Sequence, residues 1–163
     1  MSASEDRYVL ARGDEGAHRL RVVNGVHGPD SERFLLAAGL RPGMRVADIG
    51  CGVGAMTAWI ARQVGPNGEV VGVDISAEQV RKAQETVDAQ SLSNVRFAVA
   101  GAANTGLPQQ SFDLVYTRFV LMHLPNPVQA LRELREAPLV RPPLAPAGIS
   151  ASRGRGIHIN AGS

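Results

Sequence analysis

Asp48, Gly50, Gly52, Gly54 and Asp74 are the residues whose types and spacing could do chemistry. They stand in "VADIGCGVGAMTAW" (46–59) and "VVGVDIS" (70–76). An apolar run stops at an aspartate, three glycines crowd into five positions, and a second apolar run ends on another aspartate 20 residues beyond Gly54. Glycine adopts dihedrals closed to other residues and lets a ligand approach the backbone without meeting a Cβ. A carboxylate at the end of the second run can accept hydrogen bonds from two ribose hydroxyls. Its other use is as an N-terminal charge for the following helix. Ser76 already offers that helix a cap, which leaves Asp74 for a ligand.

Elements of two periodicities must position these residues. "MRVADI" (44–49), "EVVGVDI" (69–75), "VRFAVA" (95–100) and "FDLVYT" (112–117) are short apolar runs that read as buried parallel strands. Helical patterns lie between and around them. In "GAMTAWIARQV" (54–64), Met56, Trp59, Ile60 and Val64 form one stripe, and "PNG" at 66–68 ends it. "SAEQVRKAQETVDAQ" (76–90) buries Val80, Ala83 and Val87, and "NPVQALRELRE" (126–136) spaces Leu131 and Leu134. "GPDSERFLLAAGL" (28–40), with Pro29 near its start, predicts a further helix, delivered to the first strand by the "RPG" turn at 41–43. Trp59 and Met122 are expected in the core. Strands alternating with helices imply an α/β fold with a parallel, doubly wound sheet. Ligands of such sheets sit beyond the carboxyl ends of the strands, where the glycine turn is.

Two cofactors suit that turn. Gly50, Gly52 and Ala55 satisfy the dinucleotide pattern G-x-G-x-x-G/A. A nicotinamide dinucleotide, however, presents an anionic pyrophosphate to the helix N-terminus, and Asp48 would repel it. A carboxylate there suits a cationic head, such as the ammonium and sulfonium of S-adenosylmethionine.

"VADIGCGVG" followed by "VVGVDIS" resembles the first two motifs of the class I S-adenosylmethionine-dependent methyltransferases. "SFDLVYTRFVLMHLPNPVQALREL" (111–134) resembles the family's fourth-strand segment and next helix, closest to the small-molecule enzymes of the ubiquinone/menaquinone-biosynthesis-like group. The resemblance implies a Rossmann-like sheet of order 3-2-1-4 and methyl transfer to a small molecule. It also implies roles. Gly50, Cys51, Gly52 and Gly54 would meet the cofactor through their backbone, and Asp48 would orient the ammonium. Asp74 would take the ribose hydroxyls while Ile75 packs on adenine. Where the family usually has an acid for the adenine amino group, "GAA" (101–103) puts Ala102, leaving the Ala103 amide to meet the ring. Thr117 and Arg118 would flank the methyl donor. A sulfonium is already an activated leaving group, so no dedicated nucleophile is required; His123 is the one candidate base.

The ends of the chain read differently. Residues 1–27, with "YVLARGDEGAHRL" (8–20), resemble a leader folded over the cofactor, ahead of a binding domain at 28–136. Residues 137–163 are rich in Pro, Gly, Ser and Arg without a strand period and predict an irregular tail. "LVRP" (139–142) still fits the family, but the residues from Pro143 onward do not, as in a truncated or frame-shifted gene. The fourth strand should then expose its edge, and the chain should transfer methyl groups poorly. A cofactor-binding remnant or interaction protein without turnover is the alternative, ahead of an NAD-binding domain.

Composition narrows the partners. The sequence pI is about 9.2, yet no acid follows Glu136 whereas Arg141, Arg153 and Arg155 do, and without those three the balance is 14 basic to 15 acidic residues. The basicity belongs to the tail, so nucleic acid is not an expected partner. The chain holds no apolar run long enough for a membrane span. The single cysteine forms no internal disulfide, which fits the cytoplasm. His18, His27 and His158 lack ligand spacing, so no metal is expected.

Overall fold

A computed structural model of the chain describes residues 13–108, 111–136 and 158–160. Its element order is α1 (Gly13–Ala37), β1 (Arg45–Ile49), α2 (Ala55–Val64), β2 (Glu69–Asp74), α3 (Ala77–Asp88), β3 (Val95–Val99), β4 (Leu114–Arg118), α4 (Pro127–Glu136) and β5 (His158–Asn160). The strands form one parallel sheet of order β3-β2-β1-β4-β5, so the first four lie as the sequence implies.

Strand alternation builds two cores from one sheet. Val46, Val70, Leu114 and Tyr116 face one side, where Leu35 of α1 and Met56, Ile60 and Val64 of α2 pack on them. Ala47, Ile49, Val71, Val73 and Val115 face the other, with Phe112 and Val120. Trp59 packs half-buried against the first core, as expected. Ser76 caps α3, its hydroxyl accepting from the Gln79 amide at 3.3 Å.

Three expectations need correction. The first helix does not start near Pro29 but runs unbroken from Gly13, with Pro29 inside it. Proline is tolerated there because it lies on the exposed side, where the Gly25 carbonyl it leaves unbonded can turn to water. Met122 is not in the core; it is 73% exposed. The tail also supplies a strand: β5 pairs β4 in the register Tyr116↔His158 and Arg118↔Asn160, so the edge of β4 is occupied. Backbone pairing asks only for extended chain, and "IHI" (157–159) carries the short alternation that suits it. Residues 1–12, and most of the expected tail, lie outside the described residues.

Candidate functional site

β1 and β2 stop at the same level, since Asp48 pairs with Gly72, and both aspartates point to the same face of the sheet. β4 brings Tyr116, in register with Asp48, and then Arg118 to that face. The chain turns away through Gly50, Cys51 and Gly52, and the result is a cavity of about 460 Å³ beyond the strand ends. Asp48, Gly50, Cys51, Gly52, Asp74, Gln79 and Tyr116 line its inner part. Its rim is lined by Arg19, Val23, Asn24 and His27 of α1 and by Arg118, Phe119, Val120, Met122 and His123 after β4.

Positions 50 and 54 of the turn require glycine. At Gly50 φ is +78°, and a Cβ would stand 2.1 Å from Val120 Cγ2. At Gly54 φ is again +78°, and a Cβ would lie 2.9 Å from that of Ala83, which lets α3 pack directly on the start of α2. The glycines thus serve both the path of the chain and the close packing behind it.

Both acids are buried. The Asp48 carboxylate accepts from the Thr57 hydroxyl at 2.6 Å. Burial raises its pKa to about 6, against the lowering effects of that hydrogen bond and of Arg118. Asp74 is held by backbone amides: Gly52 donates to Oδ2 and Ser76 to Oδ1, each at 2.9 Å. Burial raises its pKa too, with those amides opposing. Each Asp74 oxygen keeps a lone pair for another donor. Cys51 is pushed far up by burial and by the two aspartates, so it stays a thiol and adds only a small apolar wall. Burial likewise keeps the Tyr116 phenol protonated.

The rim is braced across the chain. The Arg118 guanidinium donates to Ser31 Oγ and to Asn24 Oδ1, each at 2.9 Å, tying the end of β4 to α1. Phe119 is held at φ +61°, a conformation costly for a bulky residue and typical of functional turns. Its ring lies edge-on to His27, centroids 5.3 Å apart, and under the Arg118 guanidinium at 5.4 Å.

Of the residues singled out from the sequence, Asp48, Gly50, Cys51, Gly52, Asp74, Arg118 and His123 come together at the cavity. Gly54 stands behind its wall. Thr117 does not line it: one residue out of phase with Tyr116 and Arg118, it is buried on the opposite face. Ile75 is exposed outside the cavity, near Gly101. Ala102 is buried in the second core, and Ala103 is exposed in the turn closed by the Asn104 amide on the Gly101 carbonyl. Tyr116 and Phe119 were missed, and Arg19, Asn24 and His27, which lie within the 1–27 leader expected over the cofactor, were not singled out. Counting by twos back from Arg118 would have found Tyr116; the leader resemblance marks a segment of α1 but no periodicity marks its individual residues.

A family profile described as a methyltransferase domain matches residues 40–138, which hold β1 to α4 and the glycine turn. The chain belongs to the methyltransferase-domain family. Among its relatives in the family, aklanonic acid methyltransferase DauC of Streptomyces sp. is 39% identical over 89 residues, 55% of this chain and 40% of that protein. A demethylmenaquinone methyltransferase of Geobacillus sp. is 32% identical over 95 residues, 58% of this chain and 41% of its own. The chain thus spans about two fifths of the length of these relatives. The crystal structure of a SAM-dependent methyltransferase from Aquifex aeolicus superposes with a TM-score of 0.60 at 24% identity, over 85% of this chain and 69% of that one, and shares the fold.

The cofactor the family implies is S-adenosylmethionine, and the donor set fits it. Asp48 is a buried carboxylate facing the cavity with one neutral hydrogen bond, suited to a cationic head. Asp74 is fixed with lone pairs to spare, suited to vicinal hydroxyls. No helix among the described residues is long and apolar enough to cross a membrane.

Proposed function

We propose that the chain binds S-adenosylmethionine in this cavity and serves methyl transfer to a small molecule. The observation that carries the reading is the pair of buried carboxylates, Asp48 and Asp74, on adjacent strand ends around one glycine turn. Asp48 offers its charge to the ammonium, and Asp74 its free lone pairs to the ribose. The backbone of Gly50 to Gly52 forms the surface against which the methionine part lies. Ile75 and Ala103, exposed beyond the cavity's edge, make the shelf for adenine, and Ala102, buried beneath, brings no acid to add a hydrogen bond of about 1 kcal/mol.

When bound, the cofactor supplies a methyl group already activated by the sulfonium. The chain's residues therefore need to position and exclude water rather than attack. Burial keeps Tyr116 a neutral donor beside Asp48. Arg118 ties the middle of α1, at Asn24 and Ser31, against the cavity. His123, exposed at the rim, remains the candidate to receive an acceptor proton. The names of the quinone and polyketide relatives favour a small-molecule acceptor.

Calorimetric titration of the full chain with S-adenosylhomocysteine and with NADH tests the reading. Binding of the first, weakened at least about tenfold in Asp74→Ala by loss of two charge-assisted hydrogen bonds, is expected. Binding of NADH alone would overturn it.

A further inference from the structure

Thr57 is fully buried near the start of α2 and lines no part of the cavity, yet its hydroxyl bears on it. A hydroxyl inside a helix commonly turns back to the carbonyl four residues earlier. Ser31 and Thr86 do this, donating to the His27 and Lys82 carbonyls at 2.9 Å. The carbonyl that Thr57 would use belongs to Val53, and Thr86 reaches across from α3 to donate to it at 2.8 Å. Thr57 donates instead to Asp48 Oδ2 at 2.6 Å. Among the described residues this is the one hydrogen bond that the Asp48 side chain receives.

Other groups share the cavity with Asp48. Asp74 stands on β2, Cys51 in the turn, Tyr116 and Arg118 on β4, Arg19 and His27 on α1 and His123 after β4. Asp74 opposes ionisation of Asp48 and Arg118 favours it. Arg118, however, spends donors on Asn24 and Ser31. We propose that Thr57 is a positioning residue of the cofactor site, holding Oδ2 so that Oδ1 is presented to the cationic head. The inference rests on the cofactor reading and adds a residue that acts only through Asp48. A carboxylate without such an anchor turns about its side-chain bonds, and burial then favours its protonated form. The Thr57 bond opposes that protonation. The hydroxyl thus keeps both the direction and the charge of Asp48, and α3 takes part by occupying the Val53 carbonyl.

The test is calorimetric titration of the full chain and its variants at pH 6, 7 and 8. The ligands are S-adenosylhomocysteine and methylthioadenosine, which lacks the amino-acid head. Thr57→Val keeps the branched shape and removes the hydroxyl; Thr57→Ala replaces it should the valine variant fail to fold. The variant without the hydroxyl should bind S-adenosylhomocysteine about tenfold more weakly at pH 7, with a larger loss at pH 6 and a smaller one at pH 8. Methylthioadenosine should stay within about twofold throughout, and Thr57→Ser should bind both ligands within about threefold of the parent. Unchanged affinity without the hydroxyl, equal loss of both ligands, the same loss at all three pH values, or a serine variant that behaves like valine would each overturn the inference. If the parent binds S-adenosylhomocysteine in those cases, the cofactor reading stands without it. If the parent binds neither ligand, the cofactor reading falls and the inference with it.

Discussion

Replacing Asp48 by asparagine should make the chain more stable, and increasingly so as pH rises. Asp48 ionises at about 6 when folded against 3.8 for an unburied carboxyl, chiefly because burial opposes its charge. The folded state therefore binds the proton more tightly than the unfolded chain. The cost of ionisation is absent below the lower value, grows as pH rises between the two, and is complete above 6. Two pKa units and a fraction correspond to about 3 kcal/mol at pH 7 and roughly half as much at pH 5. The asparagine side chain would keep an oxygen for the Thr57 hydroxyl but carries no charge, so other effects of the substitution are nearly constant with pH. The advantage of Asp48→Asn should then widen by about 1 kcal/mol from pH 5 to pH 7. Urea unfolding followed by the single tryptophan, Trp59, which is half-buried against the first core, reads this directly. A difference between the two proteins that is the same at both pH values would refute the burial argument. So would a variant that loses stability relative to the parent as pH rises.

Two further perturbations address the turn and the brace. Gly50→Ala forces a Cβ into the left-handed region and into Val120, and should destabilise by about 2 kcal/mol or more; an unchanged urea midpoint would show that the turn relaxes freely. Arg118→Lys keeps the charge but not the two-pronged grip on Asn24 and Ser31. Amide exchange in residues 20–31 should quicken while α2 stays protected, and unchanged exchange there would mean that α1 is held by its apolar contacts alone.

The sheet and the acidic floor were legible because they rest on local pattern. Buried parallel strands announce themselves as apolar runs, and an aspartate closing two of them beside a glycine turn has few other uses. What was not legible depends on phase and on distant contacts. Thr117 and Arg118 are adjacent in sequence, yet the pleat sends only Arg118 to the cavity and brings Tyr116 with it. The rim residues of α1 meet the site through Arg118, a pairing across 87 and 94 positions that no periodicity marks. Pro29 suggested a helix start where the helix runs through. Met122 looked like core because an apolar type is no guarantee of burial at a cavity mouth. β5 was overlooked because a three-residue strand at a sheet edge is specified by backbone pairing more than by composition.

The central claim is a division of labour at the floor, with Asp48 for the amino-acid head and Asp74 for the ribose. S-adenosylhomocysteine carries both parts, and methylthioadenosine carries the ribose without the amino-acid head. Their affinities should be measured by calorimetry for the parent chain, Asp48→Asn and Asp74→Ala at pH 7. The account predicts that Asp48→Asn weakens S-adenosylhomocysteine about tenfold and leaves methylthioadenosine within about twofold, while Asp74→Ala weakens both alike. An Asp48→Asn variant that loses both ligands equally, or neither, would contradict it.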